Sequence, residues 1–227
     1  MATLILIAYM KAQKMLYQPK GNQTVYNLDV AYGIVKERLA KAEVRKQCEK
    51  SGAELQPDGA VVLRYLNQDY RLDINNATVM RTDNNQEVSL RERILLFHYF
   101  IQAKGTPLVG KQITYRDLPG GLVYYPTFVK RTIKPLADTF GEKPDLLTKA
   151  GEQFAARPAA TGDSSLVIDA FPRVPITLIL WKSDGELPAD INLLFDASIT
   201  DYLESEDVTV VCETITWRLI NHTRSDR

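Results

Sequence analysis

The chain has 227 residues, 28 of them basic and 28 acidic, and that zero balance removes any global pull toward nucleic acid or anionic lipid. An apolar share of 45% is that of an ordinary globular protein. The two cysteines, Cys48 and Cys212, are too few for an iron–sulfur cluster, and they lie far apart without the Cys-x-x-Cys spacing of a thiolate zinc site, with only His98 and His222 to add.

The opening "MATLILIAYMKAQKM" has a short apolar run with no basic residue before it and no small-x-small cleavage signal after it. It reads as an added strand or helix, and residues 1–26 are set apart as an N-terminal extension, with a start at Met10 or Met15 left open. No run approaches the ~18 apolar residues of a membrane span, so a soluble, cytoplasmic protein is expected.

From Leu28 to Lys50 the spacing of Leu28, Ala31, Val35, Leu39 and Ala42 predicts one helix, ended by Ser51-Gly52. Its lysines and arginines alternate with glutamates, as on a solvated face. A β meander follows, with "AVVLRYL" and "YRLDI" joined around Asn67-Gln68-Asp69 and "ATVMRT" as a third strand. Ser89-Leu90-Arg91-Glu92 is a capping box and starts a helix that is apolar around most of its girth. His98 lies on the polar stripe of that helix and reads as a boundary histidine rather than a base. "KQITYRDL" reads as a strand and Pro119-Gly120-Gly121 as the turn after it. Pro126 to Phe140 is expected to be helical, kinked or split by Pro135.

"DLLTKAGEQFA" is a further short helix, and residues 156–164 are the most loop-like segment. "SLVIDAF" and "VPITLILW" read as strands, the second apolar on both alternating faces and therefore central. A helix is expected to begin near Pro188. A last one places Val208, Val211, Cys212, Ile215 and Leu219 on one stripe, which makes Cys212 a buried thiol. Strands grouped and interrupted by helices favour one α+β domain over residues 1–227, with a mixed or mostly antiparallel central sheet.

Two stretches carry candidate chemistry. In "TYRDLPGG" a strand reading points Tyr115 and Asp117 to one side and Arg116 to the other. Gly120 and Gly121 permit left-handed backbone that can aim N–H groups at an anion, so with Arg116 the loop suits a carboxylate or phosphate. The competing reading is a strand end and a tight turn. In "WKSDGELPAD", Trp181 ends the central strand, and Asp184 and Glu186 flank Gly185. These acids could share a cation or a proton, or they could simply form a turn before a helix N-terminus.

"ITYRDLPGG", "PLADTFG", "TGDSSLVIDAFPRVPITLILWKSDGELPADINLLFD" and "YLESEDV" resemble a domain-of-unknown-function family of strictly anaerobic bacteria and archaea. The likeness runs from about Val30 onward. It implies a setting beside corrinoid-dependent one-carbon metabolism, with a corrinoid or methyl-transfer protein as partner. Some members carry a cysteine-rich iron–sulfur segment that this chain lacks. The family pattern also has a second acid and a phenylalanine where Gly185 and Leu187 stand. The resemblance implies no catalytic residue and no cofactor. The expectation is a non-catalytic accessory or binding protein whose ligand surface joins Tyr115, Arg116, Asp117, Gly120 and Gly121 to Trp181, Asp184 and Glu186. The alternative is a hydrolase-type or metal-dependent enzyme using Asp184 and Glu186.

Overall fold

The computed structural model describes residues 17–20, 23–26 and 28–225. The reading of the apolar opening stretch lies outside the described residues. A short hairpin, β1 (Tyr17–Lys20) with β2 (Gln23–Tyr26), precedes helix α1 (Leu28–Leu39). The single helix expected to run on to Lys50 is two: α1 stops at Leu39, and α2 spans Val44–Ser51. The reason is tertiary docking. Ala31, Val35 and Leu39 bury the stripe of α1, whereas α2 abuts the end of another helix, with Gln47 Nε2 donating to the carbonyls of Ile101 and Ala103. One straight rod cannot reach both surfaces. Gly52 closes α2 at φ +74°, as the sequence leads one to expect.

The meander forms an antiparallel four-stranded sheet in the order β3 (Glu54–Leu55), β4 (Val61–Tyr65), β5 (Gln68–Asp73), β6 (Thr78–Arg81). Its β4–β5 turn is tighter than the sequence suggested: only Leu66 and Asn67 lie between the paired Tyr65 and Gln68, both at positive φ (47° and 62°). Such a two-residue turn matches the twist of the strands it joins. A leucine rarely adopts that conformation. Here Leu66 is buried, and its N–H donates to the Ala170 carbonyl at 3.0 Å.

Helix α3 (Leu90–Gln102) opens as its capping box predicts, Ser89 Oγ accepting the Glu92 N–H. Beyond the segment 112–118 come α4 (Gly121–Arg131), α5 (Ile133–Phe140) and α6 (Pro144–Gly151). The split expected at Pro135 falls at Thr132, whose φ and ψ of −128° and −70° are not helical. Pro135 is the third residue of α5, a position where a missing N–H costs no helical bond.

The second sheet has five antiparallel strands in the order β7 (Gln112–Thr114), β11 (Asp190–Asp196), β10 (Val174–Trp181), β9 (Ser164–Phe171), β8 (Arg157–Pro158). β10 is central, as its two apolar faces predicted. The helix expected from Pro188 is instead strand β11. Ile191, Leu193 and Phe195 are buried while the residues between them are partly or fully exposed, a period of two that a helix cannot satisfy. The turn-rich segment 156–164 is tied to this sheet by Ala159 N–H to the Ser165 carbonyl and Asp163 N–H to the Leu180 carbonyl.

The closing helix α7 (Ser205–Ser225) buries Val208, Val211, Cys212, Ile215 and Leu219, the stripe read from the sequence. The architecture is α+β, and one apolar cluster extends from α1 through both sheets to α7. Among the described residues no helix is long and apolar enough to cross a membrane.

Candidate functional site

The segment after β7 does not continue as a strand. Only Gln112–Thr114 pairs with β11, and Tyr115–Asp117 turns off as a 3-10 helix. Asp117 causes the turn: its Oδ2 accepts both the Thr114 N–H and the Thr114 hydroxyl, each at 2.8 Å. Those bonds, backbone first, hold the Asp117 carboxyl below the usual carboxylate range. The alternation expected for Tyr115, Arg116 and Asp117 is therefore overturned.

Tyr115 swings inward and stacks on Phe128 with centroids 4.0 Å apart. Its hydroxyl shares a hydrogen bond with Thr209 Oγ1 at 2.8 Å on α7, and the same helix binds the loop again through Ser205 Oγ, which donates to the Pro119 carbonyl. Gly120 takes the left-handed conformation at φ +72°, and the Gly121 N–H donates to the Leu118 carbonyl at 2.8 Å. That amide is thus committed to the turn. Of the anion-binding elements named from the sequence, Arg116 is the side chain that stays free. Its guanidinium lies over the Tyr125 ring, 4.0 Å from the centroid, and it makes no ion pair among the described residues.

At the other stretch, Trp181 ends β10 opposite Asp190 and is 39% exposed. Asp184 Oδ1 accepts the N–H groups of Leu187 (2.8 Å) and Glu186 (3.0 Å) around Gly185, whose φ is +90°. These backbone bonds hold its carboxyl low and make it the organiser of its own turn. Asp163 Oδ2 likewise accepts the Lys182 N–H at 2.8 Å. Glu186 is exposed. Since β11 replaces the expected helix, the acids of this turn do not serve a helix N-terminus. Among the described residues no group of three or more His, Cys, Asp or Glu is placed to hold a metal ion.

Two recesses of about 410 Å³ each open here. One is walled by Arg116, Tyr125, Phe128, Ile133, Asp190 and Asn192. The other is walled by Asp163, Trp181, Asp184, Leu187 and Pro188, and again by Asp190. The two stretches singled out in the sequence thus meet on either side of one carboxylate. Of these walls only Arg116, Trp181 and Asp184 were singled out as site residues; the others, among them Tyr125, Asp190 and Asn192, were not. The signal for the last two was the alternation of Asp190 and Asn192 with Ile191 and Leu193, hidden by reading Pro188 as a helix start. His98 is a boundary residue on α3 and lines neither recess; its Nδ1 lies 2.9 Å from Asp207 Oδ1 on α7.

The sequence profile described as a domain of unknown function, DUF3786, matches residues 43–218. The chain belongs to this family. No curated protein and no solved structure matches it.

Proposed function

With membership of this family as the premise, we propose that the protein is a non-catalytic binding module, an accessory to corrinoid-dependent one-carbon enzymes, and that the paired recess around Asp190 is its contact site. The setting rests on the motif resemblance described above. The observation that carries the binding role is Arg116, a guanidinium without an ionic partner among the described residues, stacked on Tyr125 beside a recess. Stacking holds the planar fork in place, so less freedom is lost when it grips an anionic group. Trp181 adds an apolar face with a polar edge at the neighbouring recess.

The alternative of an enzyme using Asp184 and Glu186 has less support. A general base must be free to take a proton, and Asp184 is committed to two backbone amides.

The test is native mass spectrometry of the full chain isolated anaerobically from its own cells, as wild type, Arg116→Ala and Trp181→Ala. We expect a companion or small molecule on the wild type, reduced about tenfold or more in both variants. Equal retention by all three proteins removes the site. A stoichiometric divalent metal that is lost on Asp184→Ala would favour the enzyme.

A further inference from the structure

The recess beside Arg116 holds two opposite charges that do not pair with each other. Arg116 stacks on Tyr125, while the side chains of Asp190 and Asn192 make no hydrogen bond or ion pair among the described residues. This sets them apart from their neighbours, since Asp117, Asp163 and Asp184 are all committed to backbone amides. Phe128 and Ile133 supply a deeper apolar wall, both buried.

We infer that this recess takes a small zwitterion of the α-amino-acid type. The carboxylate sits on Arg116, the ammonium on Asp190 with help from the Asn192 amide oxygen, and the apolar or aromatic body lies against Tyr125, Phe128 and Ile133. A guanidinium grips a carboxylate through two parallel N–H bonds, a geometry that a lysine could not supply. A guest carrying only an anion would leave Asp190 without a counter-charge and near a like charge. A guest carrying only a cation would meet the same difficulty at Arg116. A guest with both signs satisfies both walls, and like-charge juxtaposition is what rejects the others. A volume of about 410 Å³ is on the scale of small-molecule sites.

This inference rests on the reading of the recess as a binding site and specifies what it holds. The test is calorimetric titration of the full chain with the proteinogenic amino acids at millimolar concentration. The tightest of them is then compared with its own decarboxylated amine and its own deaminated acid. We expect an apolar or aromatic amino acid to bind at least about tenfold tighter than either analogue. Arg116→Ala should erase the advantage over the amine, and Asp190→Asn the advantage over the acid. Lys46→Ala, on α2 and lining neither recess, should change neither, and circular dichroism checks that each variant is folded.

Absence of binding by every amino acid, or a deaminated acid that binds as tightly as its parent, overturns the zwitterion. The outcomes remain separable from those of the proposed function. If Arg116→Ala and Trp181→Ala still strip the native companion while amino acids fail to bind, the binding module stands and its ligand class falls. If the companion survives both substitutions and amino acids fail to bind, both readings fall.

Discussion

Gly121 is glycine for a steric reason, and Gly120 beside it for a conformational one. A Cβ added at Gly121 would lie 1.9 Å from the Tyr115 carbonyl oxygen, a backbone atom that cannot swing away. At Gly120 the φ of +72° strains any other residue, but an added Cβ would meet only the Tyr124 ring at 3.9 Å. Gly120→Ala should therefore cost about 1–2 kcal/mol, the usual penalty of a left-handed residue. Gly121→Ala should cost more, about 3 kcal/mol, because the 3-10 turn itself has to move. It should also weaken ligand binding at Arg116, whose backbone lies within 3.2 Å of the added atom. Urea unfolding of the two variants checks the ranking, and equal or reversed losses would contradict it. The octet "TYRDLPGG" was legible as a bend from its Pro-Gly-Gly alone. What went unread is that Asp117 bonds back to Thr114: Thr-x-x-Asp is a capping-box spacing, hidden because the segment was read as a strand. Arg116 was singled out as a candidate anion contact, but Asp190, the acid that lines the same recess, lies 74 positions away in a segment whose element type was misread.

Between elements, the pairing of His98 on α3 with Asp207 on α7 is a contact sensitive to pH. Burial favours the neutral imidazole, but the charge and hydrogen bond of Asp207, with Glu204 farther out and Arg38 opposing, raise its pKa above the ordinary histidine value. Among the described residues the second oxygen of Asp207 is buried without a hydrogen-bond partner, which leaves the carboxylate dependent on His98. A histidine with a raised folded-state pKa stabilises the protein fully below its unfolded pKa of about 6.5. The contribution is lost as pH rises through the higher folded value. Chemical unfolding of wild type and His98→Gln between about pH 5 and 9 should therefore show the wild-type advantage shrinking toward alkaline pH. An advantage that grows with pH would refute the ion pair. The helical stripe placed His98 at a boundary, yet a partner 109 residues later in the chain has no local signal. Elements with a strong period of their own, such as α3, β10 and α7, were legible for the opposite reason. β11 was missed because Pro188 is also a common helix opener and the alternation that follows it is only a few residues long.

At the scale of the molecule, the grouping of strands and helices announced α+β, but the division into two sheets did not. β7 joins β11 across some eighty residues of chain, and nothing near Gln112 specifies that partner. The two sheets are not independent. The Leu66 N–H of one bonds the Ala170 carbonyl of the other, and Asn67 Nδ2 donates to the Gln153 carbonyl at 3.2 Å. Tyr99 of α3 stacks on Phe171 of β9 with centroids 4.0 Å apart, and its hydroxyl donates to the Ser51 carbonyl at 2.6 Å. Losing either sheet would strip these buried groups of partners and expose one face of the shared apolar cluster. We therefore expect a single cooperative unfolding transition, although chains above about 150 residues often depart from one. Tryptophan fluorescence reports Trp181 and Trp217, both in the C-terminal third, whereas far-ultraviolet circular dichroism weighs the whole chain. Coincident midpoints for the two probes in urea are the expected result. A fluorescence change complete before half of the dichroism is lost would mean that the five-stranded sheet and α7 melt apart from the rest, and that residues 28–225 form two cooperative units.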